Sequence, residues 1–169
     1  MKTKFFAIIL LLSVSSYADS VNDLPVLAQE MNDFFKLGIT AQKALLKFDE
    51  PRYARLVYSE IDSTGYIVSK KSFVLNSPSK EFTITIFRKT KNLSSEPDRL
   101  LLYEVRGADQ SIGSSSQVVF PPNDGIGKGG LGILDEAYGY RERAYLKDKV
   151  VYTVSIKLET GISKFEENK

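Results

Sequence analysis

The sequence contains neither cysteine nor histidine. The absence of cysteine excludes disulfide frameworks, thiolate metal sites and cysteine nucleophiles. The absence of histidine excludes Ser-His-Asp and Cys-His catalysis, HExxH zinc sites and histidine-based pH switches. An enzyme made from this chain would have to use Asp, Glu, Lys, Tyr or Ser. We therefore favour a protein that is not an enzyme, with no cofactor and no metal.

The first eighteen residues have the three parts of a signal peptide. Lys2 and Lys4 form a basic start, residues 5–14 are an apolar core, and a small-residue stretch ends at Ala18. As a helix this core would span only about 15 Å, half of the roughly 30 Å hydrocarbon layer of a bilayer. We therefore expect cleavage near Ala18, a periplasmic or secreted location, and a single domain over residues 19–169.

Charge and hydropathy limit the partners of the remaining chain. Loss of Lys2 and Lys4 with the presequence leaves 21 basic and 21 acidic residues. A nucleic-acid partner is not expected, because its binding normally requires a basic excess. No later stretch approaches the roughly 20 apolar residues of a membrane helix, so we expect no integral membrane span. Nothing implies a partner chain, and we expect a monomer.

The region before Pro51 has a helical apolar pattern. Its apolar residues are spaced alternately by four and three, and Pro25 stands where a first helical residue is expected. We predict one long or bent helix that ends before Pro51. The residues of this face are Leu27, Met31, Phe34, Gly38, Ala41, Leu45 and Phe48.

From Arg55 onward the apolar period is two, which is typical of strands. Strands are predicted over 56–61 and 66–75 around a tight turn at 62–65, and over 82–86 after a second turn at 76–79. Further strands are predicted over 100–105, 117–120 and 150–158, with a loop over 107–116. The fold class predicted is α+β, with the N-terminal helix packed against an antiparallel sheet of about six strands.

Residues 123–143 are first rich in glycine and then in Tyr and Arg. Lys128 is followed by two glycines, whereas a phosphate loop needs Gly-Lys-Ser/Thr before a helix. The glycines indicate either an anion-binding loop or lid, or a long flexible hairpin connection. Tyr and Arg are common at binding hot spots. The predicted ligand- or partner-binding residues are Lys128, Tyr138, Tyr140, Arg141 and Arg143; alternatively, the two tyrosines only cover the edge of the core.

Paired carboxylates are the remaining route to catalysis. Two of them about 5 to 10 Å apart can hydrolyse a glycosidic bond without histidine. The candidate pairs are Asp135 with Glu136 and Glu104 with Asp109, although neighbouring strand residues face opposite ways. We assign no catalytic residue. The function predicted is a non-enzymatic binding or interaction protein for an unknown protein or small-molecule ligand, and the alternative is a hydrolase that uses Asp or Glu.

Overall fold

The computed structural model of the protein describes residues 20–23, 39–90 and 98–166. The regular structure of these residues is entirely β-strand, and all strand pairs in them are antiparallel. The strands are β1 (Ser20–Asp23), β2 (Ile39–Asp62), β3 (Ile67–Thr90), β4 (Asp98–Arg106), β5 (Ser111–Val119), β6 (Gly125–Ile126), β7 (Gly130–Leu134), β8 (Ala137–Leu146) and β9 (Lys149–Gly161).

The α+β prediction is wrong, because residues 39–48 of the predicted helix form the first part of β2. The buried side chains of this part are Ala44, Leu46 and Phe48, at a spacing of two. The apolar residues therefore fit a strand as well as a helix, and pairing with β3 selects the strand. The fold of the described residues is all-β. The signal peptide and the part of the predicted helix before Ile39 lie outside those residues.

The strands form one sheet in the order β5-β4-β3-β2-β9-β8-β6, with β1 paired to β2 and β7 paired to β8. Strand β2 is central because β3 pairs along one edge, while β1 and β9 share the other edge. The predicted turn between β2 and β3 is confirmed. Gly65 has a φ of 86°, and its N–H donates to the Asp62 carbonyl at 3.1 Å. A positive φ is the conformation that glycine adopts most readily.

The ladder between β2 and β3 is irregular in its middle. Register shifts separate Lys47, Arg52 and Ala54 of β2. The predicted turn at 76–79 falls opposite this region, inside the continuous strand β3, so it does not reverse the chain. Pro51 also lies in this region and has no paired residue in β3. Its missing N–H therefore costs no hydrogen bond between the two strands. The irregularity divides each of the two long strands into two halves.

The two halves of the sheet pack face to face. The rings of Tyr58 in β2 and Tyr103 in β4 stack with centroids 5.6 Å apart and planes 6° apart. The Gln42 side chain in the first half of β2 donates to the Gly129 carbonyl at 3.1 Å and accepts from the Leu131 N–H at 2.8 Å. These contacts join segments that are not neighbours in the strand order. The sheet therefore folds over itself and encloses a core.

Alternate strand residues fill this core, as expected when one sheet face is buried. The predicted last strand is confirmed, and its Tyr152, Val154, Ile156 and Leu158 are buried. Strand β5 is longer than predicted, because most of the predicted loop at 107–116 belongs to it. The largest fully buried side chains of the described residues are Tyr58, Tyr103, Tyr140, Phe82, Leu46, Leu56, Leu75, Ile84, Ile86, Leu101, Ile156 and Leu158.

Candidate functional site

The predicted binding residues are not brought together in one exposed patch. Tyr140 of β8 is 1% exposed, and Tyr138 packs against the core. Arg141 and Arg143 alternate with them and therefore lie on the other face of β8. Lys128 is exposed between β6 and β7. A shared binding role for the five residues remains a prediction, with the two tyrosines turned away from the arginines.

The glycine-rich segment packs closely against the sheet. A Cβ built on Gly129 would lie 1.9 Å from the Tyr140 hydroxyl oxygen, and one on Gly139 would lie 2.0 Å from the Ile156 carbonyl oxygen. Both distances are far below van der Waals contact. Strands β6 and β7 pair with β8 within the same segment. At Gly129 and Gly139, glycine is therefore required because neighbouring atoms lie too close to leave room for a side chain. The interpretation of the segment as a flexible connection does not account for this close packing.

A buried charge cluster surrounds Glu142 of β8, whose side chain is 0% exposed. The Arg88 guanidinium lies 3.1 Å from its Oε1, Arg99 lies 3.7 Å from the same oxygen, and the Tyr140 hydroxyl donates to Oε2 at 2.9 Å. Burial is the main cause that raises the pKa of Tyr140, and the charge of Glu142 adds to it. These contacts join β3 and β4 to β8, and the cluster binds the two halves of the sheet together.

A second polar cluster is centred on Glu60 of β2. Its two carboxylate oxygens accept hydrogen bonds from the hydroxyls of Tyr58 and Tyr152, each at 2.6 Å. Burial, followed by these bonds to Glu60, raises the pKa of both phenols. The Lys71 ammonium donates to the Ser116 hydroxyl at 3.0 Å nearby. The Lys71 side chain is exposed, whereas Ser116 is buried.

The candidate carboxylate pairs form other contacts. Asp135 has a φ of 57° in the turn between β7 and β8 and bonds to Lys157 and Arg141, and the bond and charge of Lys157 are the main causes that lower its pKa. Glu104 bonds to Arg106 at 3.1 Å. Among the described residues, no group of three or more acidic side chains is placed to hold a metal ion.

An open groove lies where β9 ends beside the irregular part of β2. Pairing of Tyr53 with Gly161 brings Arg52 next to the segment that follows β9. The groove encloses about 540 Å³, within the roughly 300 to 1,000 Å³ typical of ligand sites. We call it the Arg52 groove, and its lining residues are Arg52, Thr160, Gly161, Ile162, Ser163, Lys164, Phe165 and Glu166.

Arg52 is the most unusual residue of the groove. Its guanidinium carbon lies 5.4 Å from the centre of the Phe48 ring, and its buried Nε has no hydrogen-bond partner. Among the residues that the structure describes, none forms an ion pair with Arg52, whereas Arg55, Arg88, Arg106 and Arg141 each pair with a carboxylate. A buried, unpaired donor of this kind is costly unless a ligand or water satisfies it.

Sequence reasoning identified neither Arg52 nor Glu142. Nothing in the sequence marks Arg52, because its neighbours in the groove come from the far end of the chain. A signal for Glu142 does exist. Tyr138, Tyr140 and Glu142 are spaced by two, so in a strand they lie on the same face. A strand predicted here would have placed the Glu142 carboxylate on the face that carries the two tyrosines.

Comparison of the chain with protein-family models, curated proteins and solved structures gave no match. Within its described part, the protein has no helix that is both long and apolar enough to cross a membrane.

Proposed function

We propose that the protein is an exported, non-enzymatic binding protein that holds a small anionic ligand in the Arg52 groove. The observation that carries this proposal is the unpaired Arg52 guanidinium in a concave site. Arginine presents its N–H donors in a fixed plane that matches carboxylate and phosphate oxygens. Export rests on the presequence ending near Ala18.

The other residues of the groove fit the same ligand class. Lys164 supplies a second cation and Glu166 one anion, so the groove carries one excess positive charge. The Ser163 hydroxyl offers a further polar contact, and Phe165 and Ile162 supply apolar surface. The expected ligand therefore has a carboxylate or phosphate group attached to a small apolar body.

Nuclear magnetic resonance titration of the isotope-labelled protein with citrate and with inorganic phosphate tests this proposal. We expect saturable shifts of the amides of Arg52 and of residues 160–166. Arg52→Gln should weaken binding about tenfold or more, since a hydrogen bond to a charged group contributes about 1.5 to 3 kcal/mol. Lys164→Gln should weaken it less, and Lys89→Gln, the same change elsewhere in the sheet, should leave it unchanged.

Two results would overturn the proposal. One is the absence of saturable shifts with either anion at millimolar concentrations. The other is equal affinity in the Arg52→Gln variant and the unaltered protein. An Arg143→Gln variant that loses binding while Arg52→Gln retains it would move the ligand site to β8, which carries four of the five predicted binding residues.

A further inference from the structure

The segment that follows β9 forms most of the Arg52 groove. Residues 162–166 supply five of the eight lining residues, and Thr160 and Gly161 at the end of β9 supply two. Arg52 is the single contribution from another strand. We call residues 162–166 the strap. The groove exists only while the strap lies beside β2, so the contacts that hold the strap also form the groove.

Phe165 is the one residue of the strap that is not exposed. Ile162, Ser163, Lys164 and Glu166 are exposed, whereas Phe165 is half-buried. A segment with so little buried surface can detach from a folded sheet at a low cost in free energy. The contacts of Phe165 are therefore the main attachment of the strap.

Two contacts hold the Phe165 ring. Its centre lies 4.7 Å from the guanidinium carbon of Arg55 in β2, a distance at which the face of an aromatic ring attracts a cation. The ring also packs over Gly161, because a Cβ built on this glycine would lie 3.6 Å from Cζ of Phe165. The strap therefore turns back over the end of β9 and meets β2.

Glu159 holds the Arg55 guanidinium that supports this ring. Arg55 Nε donates to Glu159 Oε2 at 2.8 Å, and its Nη2 donates to the same oxygen. The two residues are also paired in the ladder between β2 and β9. Because Glu159 balances the charge of Arg55, this arginine serves as a support for Phe165, while Arg52 is left for the anion.

We infer that Phe165 is a positioning residue of the Arg52 groove, and that its stacking on Arg55 and the binding of an anion stabilise each other. This inference rests on the proposed function. When only one arrangement of a protein can bind, the apparent affinity falls with the fraction of molecules in that arrangement. Such coupling is reciprocal, so a bound anion holds the strap by the same factor by which the strap favours the anion.

The affinities of two Phe165 variants for citrate and inorganic phosphate test the stacking. Phe165→Tyr keeps the aromatic face and should bind within about twofold of the unaltered protein. Phe165→Leu keeps an apolar side chain but loses the contact between ring and cation, and it should bind about fivefold more weakly. Ile133→Leu, a change at an exposed residue of β7, should leave the affinity unchanged.

The absence of tryptophan from the chain allows the strap to be observed directly. Phe165→Trp places one fluorophore on Arg55, where an indole ring also stacks well. Citrate should reduce the quenching of this fluorophore by acrylamide. Adding Arg52→Gln should abolish this effect of citrate without changing the quenching seen in its absence, whereas adding Arg55→Gln should increase quenching even without citrate. A merely structural role of Phe165 would produce no response to citrate.

The outcomes separate this inference from the proposed function. If the unaltered protein binds the anions, the inference is wrong when Phe165→Leu binds as tightly as the unaltered protein, when Phe165→Tyr loses as much affinity as Phe165→Leu, or when saturating citrate leaves the quenching of Phe165→Trp unchanged. The Arg52 groove would remain the anion site in each case. If the unaltered protein binds neither anion, the proposed function fails and the coupling to Phe165 fails with it.

Discussion

The buried cluster at Glu142 leads to the strongest stability prediction. Glu142→Gln keeps the shape of the side chain and an oxygen for the Tyr140 hydroxyl, but it removes the negative charge. Arg88 and Arg99, whose side chains are 21% and 15% exposed, would then be partly buried cations without an anion. Breaking a buried pair in this way costs about 3 to 5 kcal/mol, a large share of the roughly 5 to 15 kcal/mol that keeps a domain folded.

Urea denaturation followed by circular dichroism measures this loss. The midpoint should fall while the slope of unfolding free energy against urea stays the same, because the surface exposed on unfolding does not change. The control is Glu104→Gln, whose partner Arg106 is 68% exposed, and it should cost less than about 1 kcal/mol.

A double-mutant cycle separates charge from packing. Adding Arg88→Gln to Glu142→Gln should recover part of the lost stability, because the combination removes one of the uncompensated cations. If Glu142→Gln were no more harmful than Glu104→Gln, or if Arg88→Gln only added to its cost, the charges of the cluster would not stabilise the contact between the two halves of the sheet.

Three further predictions concern other parts of the fold. Gly139→Ala should severely lower the thermal midpoint because its Cβ would collide with the β9 backbone, whereas Gly132→Ala, with open space around it, should not. The pKa of Tyr58 is raised in the folded state, so the free energy of unfolding should fall as pH rises above about 10, the ordinary pKa of tyrosine. The urea midpoint measured against pH should show this fall, and the fall should be smaller in Tyr58→Phe. Hydrogen bonds from Thr64 lower the pKa of Asp62, so Asp62→Asn should speed amide exchange at Thr64.

Each of these predictions has a contrary outcome. Equal thermal midpoints for Gly139→Ala and Gly132→Ala would show that the backbones of β8 and β9 are not in close contact. If the alkaline profile of Tyr58→Phe matched that of the unaltered protein, the Tyr58 phenol would lose its proton as readily in the folded protein as in the unfolded one. The lowered pKa of Asp62 contributes stability above about pH 4, and this stability is lost at more acidic pH. If amide exchange at Thr64 were unchanged in Asp62→Asn, the Asp62 carboxylate would not stabilise the turn.

Parts of β2 to β5 and of β9 could be predicted because their alternation is local, whereas β6, β7 and β8 were not predicted. The turn at 62–65 and the strand at 150–158 are both confirmed, since each is specified by residues close together in the chain. The region before Pro51 could not be assigned in this way. Its apolar residues satisfy a helical and a strand pattern together, and the choice depends on β3, which begins only at Ile67.

The candidate site was inaccessible to sequence reasoning for a related reason. Arg52 and Lys164 line the same groove because β2 pairs with β9 in a register that places Tyr53 opposite Gly161. Arg52 also lies in the irregular part of the β2–β3 ladder, between two register shifts at Lys47/Arg52 and Arg52/Ala54. Composition and spacing contain no record of such a shift, whereas the inward position of Glu142 follows from simple alternation along β8.

The pairing of β2 with β9 also determines when this fold can be completed. Arg55 and Glu159, which are bonded across these strands, are separated by 104 residues. Loops of such length form late and make folding slow. Strand β9 also supplies Tyr152, Val154, Ile156 and Leu158 to the core. Strand β9 is therefore required to close the sheet, and the native core cannot form until β2 and β9 have paired across this separation.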